Sequence, residues 1–517
     1  MNPLEEKHAL VSGSASPLGG VDLVLSIRED CLNRAMGYLQ ARGKLPASWT
    51  AKSEGPGGAS VLDVKLLAPW VRLCPGWTPQ KGTRVDVSLK LGSGTFTYPG
   101  EQKPVEVVVK DWVVTFTSQL AISDLAQRIQ KAGGQVPPEL KAQLEVLGER
   151  YLDYRCLYLD LENVNLLDEE SVLISGPRLP KEAQAAMREH LRRWIELRRD
   201  NLDATLLCVM PARPKPGLEP TVHPTGVTFA THEQPIPQRR EPVRVLSWLM
   251  TTQGRPVPTH DVPAPFQKPW PVGSQVDGVL VLGREAALNA FLNQLKPAFS
   301  IRTDAQLSHT GESLVFACTP TVTASSLEGH PIFGGKYTLC LRQDRRSFDF
   351  SWTKVASLRV SQDIGGKEPY VLTCEVRSDY TGVVRFETPP QNARSWRAVA
   401  DKRTFQISGT NWNGQPFDPR HIDEKGWIEM LLSLRYLPKL AEKIAATRAQ
   451  IENLARFMAD SMETSSVTSF APFEFVPPGN ANFSFSNLRF DDQLNLLVEV
   501  MFDYTVERPS NLEGQRS

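Results

Sequence analysis

Apolar and polar residues alternate with a period of two along several long stretches of this chain. Val85, Val87, Leu89 and Leu91 interleave with Arg84, Asp86, Ser88 and Lys90, the pattern of a strand with one buried and one solvated face. Val105, Val107 and Val109 continue in the same style, then Trp112, Val114 and Phe116. Farther along, Phe348, Phe350 and Trp352 repeat it, with further strand-like runs over 371–376 and 383–386. Long strands of this kind belong to antiparallel sheets. Helical spacing follows each strand-rich region. Residues 122–150 are helical but interrupted by Gly133-Gly134 and Pro137-Pro138, a second helix covers 181–199, and one long helix covers 423–462.

A second pattern repeats across the chain. Val21-Asp22 opens an apolar run to Ile27, and the helix that follows places Leu32, Met36 and Leu39 at i, i+4 and i+7 on one face. Val276-Asp277 opens a similar run to Leu282, and after Gly283 a helix places Leu288, Leu292 and Leu295 at the same spacing. With Gly283 taken as a one-residue insertion, Arg28-Glu29 matches Arg284-Glu285, Leu32-Asn33 matches Leu288-Asn289, and Leu39 matches Leu295. Such a match predicts an internal duplication, which sets the architecture. A weaker correspondence closes each half: Gly226–Phe229 with the strand Val243–Met250, against Asn482–Phe485 with Leu494–Phe502. Residues 211–271 hold 14 of the 40 prolines, a density that predicts an extended surface connector. The expected organisation is an N-terminal half over 1–255, a Pro-rich connector over 256–271, a C-terminal half over 272–506 and a frayed tail over 507–517.

Bulk properties narrow the classes. A chain of 517 residues with 41% hydrophobic and 22% charged residues reads as a globular protein of several domains. Zero formal net charge argues against bulk nucleic-acid binding. The start lacks the basic and apolar regions of a secretory signal, and no apolar run approaches the ~18 residues that span a bilayer. The seven cysteines are scattered, without a C-x-x-C pair, as expected of reduced thiols. A protein made in the cytoplasm is expected, with release by a leaderless route or lysis left open.

Candidate chemistry is sparse. No nucleophile elbow, zinc-protease motif, P-loop or strand-associated dinucleotide motif is present, so no catalytic residue is named. His223, His232 and His260 fall in the Pro-rich stretch without a ligand spacing and read as exposed loop residues; no metal or cofactor is expected. The helix over 181–199 places Met187, Leu191 and Trp194 on one side. Arg188, Arg192, Arg193 and Arg199 lie around the rest, a candidate contact with an anionic membrane surface that Glu182, Glu189 and Glu196 dilute. In the long helix, Leu437, Ile444, Ile451 and Met458 recur every seven residues, with Leu440 and Leu454 between them. Pro438 and only about three heptads favour packing along a curved sheet over a free coiled coil. Trp70, Trp77, Trp112, Trp270 and Trp412 are candidates to stack on sugars, although core packing and loop anchoring also account for them.

Apolar strand, Leu-Asn helix, long strands and one long helix together resemble the TULIP superfamily of tubular lipid-binding proteins. Among its bacterial members the chain looks most like the OrfX-class and P-type companions encoded beside some botulinum neurotoxins. The lack of a signal peptide and paired disulfide departs from the secreted animal members. The resemblance implies an α+β fold of two related halves, each a strongly curved, long-stranded antiparallel sheet wrapped on a long helix. It also implies a non-enzymatic lipid-binding protein, accessory to a toxin or export system. Carried onto this chain, it places Leu32, Met36, Leu39, Leu288, Leu292, Leu295, Leu437, Ile444, Ile451 and Met458 along an apolar groove for a lipid or other apolar small molecule. The alternative is an interaction protein with filled cores that binds another protein through sheet edges or the long helix.

Overall fold

The computed structural model describes residues 18–55, 58–74, 83–147, 151–164, 172–176, 178–214, 222–234, 242–252, 254–257, 276–287, 306–310, 313–318, 332–362, 370–388, 397–410, 416–417 and 474–504. They fall into two units. The first comprises Met1–Ala287, Ala471–Asn487 and Asn495–Ser517; the second comprises Leu288–Phe470 and Leu488–Leu494.

In chain order the elements are β1 (Leu23–Arg28), α1 (Glu29–Ala41), β2 (Ser48–Gly55), β3 (Gly58–Leu66), β4 (Trp70–Leu73), β5 (Thr83–Tyr98), β6 (Val105–Asp124), α2 (Leu125–Lys131), α3 (Pro138–Leu147), β7 (Tyr151–Asp160), β8 (Val172–Ser175), α4 (Lys181–Arg198), α5 (Leu202–Thr205), β9 (Leu206–Pro214), β10 (Gly226–Gln234), β11 (Val243–Thr251) and β12 (Gly278–Leu282). There follow β13 (Gln306–Thr310), β14 (Ser313–Cys318), β15 (Ile332–Leu341), β16 (Ser347–Gln362), β17 (Tyr370–Glu387), β18 (Arg397–Thr410), β19 (Pro416–Phe417), β20 (Asn482–Phe490) and β21 (Leu496–Asp503).

The first unit contains a strongly curled antiparallel sheet of eight strands, ordered β2-β3-β5-β6-β7-β9, with β4 on β5 and β8 on β6. The alternation read from the sequence is realised: Val85, Val87, Leu89 and Leu91 are buried on the concave side, with Val109, Trp112, Val114 and Phe116 from the next strand. Strand length and close approach produce the curl. β5 and β6 run for 16 and 20 residues, and right-handed twist accumulates along such lengths. The β3–β5 register shifts between Lys65 and Leu66, a bulge that bends the strand. At Gly94, φ is +150°, and a Cβ there would fall 2.1 Å from the carbonyl oxygen of Asp63; only glycine fits. Helices close the concave face. α4 packs on β2 and β5, while α2 and α3 cover β7 and β9 through a cluster that includes Leu125, Leu140, Cys156 and Val209.

A six-stranded sheet is ordered β10-β11-β1-β12-β21-β20. At its centre the two Val-Asp segments of the sequence pair with each other: β1 and β12 run antiparallel with Leu25 opposite Leu280. β1 is buried on both faces, which is why its sequence is a continuous apolar run rather than an alternation. Asp22 and Asp277 perform matching tasks on either side. Gly283 N donates to Asp22 O at 2.7 Å, and Arg28 N donates to Asp277 O at 3.0 Å. The Asp22 carboxylate accepts from Thr252 N and Oγ1 at 2.7 and 2.9 Å and pairs with Arg255. The Asp277 carboxylate accepts from Phe502 N at 2.8 Å and pairs with Arg34. Each thus satisfies a main-chain donor at the end of the neighbouring strand.

The second unit holds an antiparallel sheet in sequential order, β13 to β19. β16 and β17 stay in register from Ser347–Arg385 to Gln362–Tyr370. Phe348 packs edge-on against Phe490 with ring centroids 4.8 Å apart. The long helix expected over 423–462 and the second Leu-Asn helix beyond Ala287 lie outside the described residues.

Candidate apolar crevice

The site grows from α1. Two of its polar side chains are spent on β4. Asn33, of the Leu-Asn pair, donates from Nδ2 to Val71 O at 2.9 Å and accepts from Val71 N at 2.7 Å, as a neighbouring strand would. Glu29 accepts from Leu73 N at 2.7 Å; burial raises its pKa, and Arg244 opposes that rise. With β4 pinned in this way, the apolar side of α1 faces the concave sheet.

Leu32, Met36 and Leu39 are buried, at 0%, 3% and 5% exposure. Leu39 borders a tight cavity of about 10 Å³ with Leu140, Cys208 and Val476. Met36 lines a small crevice of about 30 Å³. Its walls come from Leu66 and Leu67 at the end of β3, Val87 and Leu89 on β5, Phe116 on β6, Leu159 and Leu161 on and after β7, Trp194 on α4 and Ala204 on α5. Leu67 is 51% exposed. No charged side chain lines the crevice among the described residues.

Two of the lining residues, Gln40 and Trp194, each carry a buried polar atom. Gln40 donates from Nε2 to Pro46 O and Leu66 O at 3.1 and 3.2 Å, but its Oε1 is buried without a hydrogen-bond partner in the protein. The Trp194 indole N–H is buried and unpaired as well. Each such group costs about 1–3 kcal/mol when it lacks a partner. Neither residue was singled out as a ligand contact from sequence. Trp194 was visible only as part of the apolar side of α4, and nothing in the pattern marks Gln40.

The remaining candidates fall elsewhere. Leu288, Leu292, Leu295, Leu437, Ile444, Ile451 and Met458 lie outside the described residues. On α4, Arg192 pairs with Glu189 and Glu196. Arg193 pairs with the same Glu189 at 3.2 Å and donates to Lys52 O at 2.5 Å, Arg199 pairs with Asp200 at 3.6 Å, and Arg188 is half-buried. The acids spaced along α4 therefore take up Arg192 and Arg193 as i,i+3 and i,i+4 pairs.

The histidines correct one expectation. His232 is not in a loop but on β10, where burial pushes its pKa down to about 4; strand pairing with β11 overrides the local proline density. His223 lies in the segment before β10, and His260 is outside the described residues. Among the described residues no cluster of three His, Cys, Asp or Glu is placed to hold a metal ion. Cys31, Cys156 and Cys208 are buried free thiols, and burial raises the first to about 12. Trp70 is exposed and Trp112 is buried; Trp77, Trp270 and Trp412 lie outside the described residues. A larger space of about 530 Å³ is lined by Asp153 and Arg155 as well as Ile122 and Val227, and Arg155 pairs with Asp124 at 3.3 Å. Its charged wall suits an apolar chain less well than the crevice does. Among the described residues, no helix is long and apolar enough to cross a membrane.

No protein-family model matches the chain, and no curated protein matches it in sequence. Among solved structures, P47 of Clostridium botulinum E1 aligns with a TM-score of 0.47 at 8% identity, over 93% of this chain and 98% of that one. P47 from Clostridium botulinum A2 aligns at 0.46 and 9% identity, over 93% and 97%. A lipopolysaccharide binding protein aligns at 0.27 and 10% identity, over 94% and 100%.

Proposed function

We propose that this is a non-enzymatic binding protein that takes a lipid-like apolar molecule into the crevice between α1, α4 and the concave face of the curled sheet. The observation that carries this reading is an uncharged, apolar-lined crevice whose wall includes an exposed leucine, Leu67. Burial of apolar surface supplies the driving force, at about 25 cal/mol per Å² removed from water. Met36 is the wall element best suited to yield to a longer chain, because its unbranched side chain repacks at low cost. The same reading takes the matched roles of Asp22 and Asp277 as the mark of a duplication. It keeps Leu288, Leu292, Leu295 and the heptad-spaced Leu437, Ile444, Ile451 and Met458 as candidates to line an apolar site of the second half, and it includes an accessory role beside a toxin or export system.

The test is a titration with the neutral apolar probe N-phenyl-1-naphthylamine. Wild-type protein should enhance its fluorescence, and Ala204→Trp, which fills the crevice, should abolish the enhancement while leaving the circular dichroism spectrum unchanged. Equal enhancement by both proteins would remove the crevice from the reading.

A second reading has its own support. Val105 and Val108 on β6 and Leu173 on β8 are 36%, 75% and 61% exposed. They suit an interaction protein with filled cores. A pull-down that returns one stoichiometric protein and no lipid would favour it.

A further inference from the structure

Trp194 of α4 lines the crevice, so that side is closed only while α4 is docked on β2 and β5. The docked side of the helix is apolar at Ala183, Met187, Leu191 and Ile195, but it also buries His190. Three strands enclose the imidazole. Trp49 of β2 and Phe96 of β5 stand edge-on to it at 6.4 and 6.1 Å, and Nε2 lies 3.0 Å from Oγ of Ser60 on β3. Nδ1 is buried with no hydrogen-bond partner in the protein. Protonation would make both ring nitrogens donors, and this interface offers one acceptor. Ser53 pairs across the strands with Ser60 and so shares its face; its Oγ is buried and unpaired too. The charged groups that act on His190 are both on α4. Arg193 opposes a proton, and Glu189 favours one but is already held by Arg192 and Arg193. Trp49, Ser60 and Phe96, which face it from the strands, carry no charge.

We propose that α4 is an acid-released lid: protonation of His190 favours lifting of the helix from β2 and β5, which opens the crevice on the side that Trp194 closes. This rests on the crevice reading above and adds the regulation of that site. Lifting gives Nδ1 and Ser53 Oγ the water partners they lack when buried. The direction follows from linkage. Burial holds His190 at about 4 in the docked state, against 6.5 for a free imidazole, so the lifted state binds the proton first. From pH 7.5 to 5.0 the opening equilibrium should therefore rise roughly 30-fold.

The experiment is hydrogen exchange of the full-length protein at both pH values, corrected for the intrinsic rate and read on peptides from α4 and β5. Amides of α4 should lose about 30-fold in protection, with a much smaller change in β5, and His190→Gln should abolish the loss. Equal losses in α4 and β5, or none in α4, would overturn the lid. Release of N-phenyl-1-naphthylamine from wild-type protein, followed by stopped flow, is a second measurement that needs no variant. Faster release at pH 5.0 is expected, and a pH-independent rate would overturn the gating while leaving the crevice reading intact. Failure of the probe to bind at pH 7.5 would overturn the crevice reading itself, and hydrogen exchange would still decide whether acid frees α4.

Discussion

Replacing His190 with glutamine should flatten the acid side of the protein's stability profile. His190 is fully buried on α4, with Nε2 3.0 Å from Ser60 Oγ and its ring edge-on to Phe96 and Trp49 at 6.1 and 6.4 Å. Burial, aided by Arg193 and opposed by Glu189, lowers its pKa from 6.5 to about 4. The imidazole is therefore neutral in the fold but takes a proton in the unfolded chain below pH 6.5. Its contribution is fully present above pH 6.5 and is lost as pH falls from 6.5 toward 4, where the unfolded state binds the extra proton. Lowering the pH from 7.5 to 4.5 crosses most of that window, so roughly 2–3 kcal/mol of wild-type stability should go with this one residue. Urea unfolding at both pH values, followed by circular dichroism, reads the loss. The Gln variant should lose less than wild type by that amount, with His232 contributing equally to both. Identical losses in the two proteins would show that His190 is not held neutral beneath α4.

Asp22→Ala and Asp277→Ala should each destabilise the first unit by about 3 kcal/mol, since each removes a buried carboxylate from a main-chain donor and an arginine. Urea unfolding should find the two losses similar, and a large inequality would show that the two aspartates do not do the same work. Gly94→Ala should cost more than about 3 kcal/mol, because its Cβ would overlap Asp63 O, and a thermal midpoint within a degree or two of wild type would refute the close approach of β3 and β5. Combined Arg192→Gln and Arg199→Gln should leave co-sedimentation with phosphatidylserine vesicles unchanged. A loss of sedimentation would return α4 to the role of a membrane-surface helix.

The sequence made some of this structure readable. The alternation at Val85–Leu91 and Val105–Phe116 marked β5 and β6 because one face of a curled sheet is buried and the other is wet. The helix over 181–199 was marked by Met187, Leu191 and Trp194, of which Met187 and Leu191 are fully buried. The Val-Asp match located Asp22 and Asp277, but not that their strands pair with each other about Leu25 and Leu280. Pairing across so many residues leaves no local trace. His232 lies on a strand despite the proline density around it, because the prolines flank β10 and not the strand itself. Gln40 has no signal in the sequence, because a buried unpaired carbonyl is a property of the folded surroundings and no spacing within α1 reports it.

A binding protein of this kind carries its apolar ligand with it when purified gently. Native mass spectrometry of protein purified without detergent from the cells that make it tests this most directly. A mass above the 57.6 kDa chain, lost on organic extraction with recovery of a lipid-like compound, is the predicted result. A single species at the mass of the bare chain, together with no uptake of added 1-octanol, would contradict it.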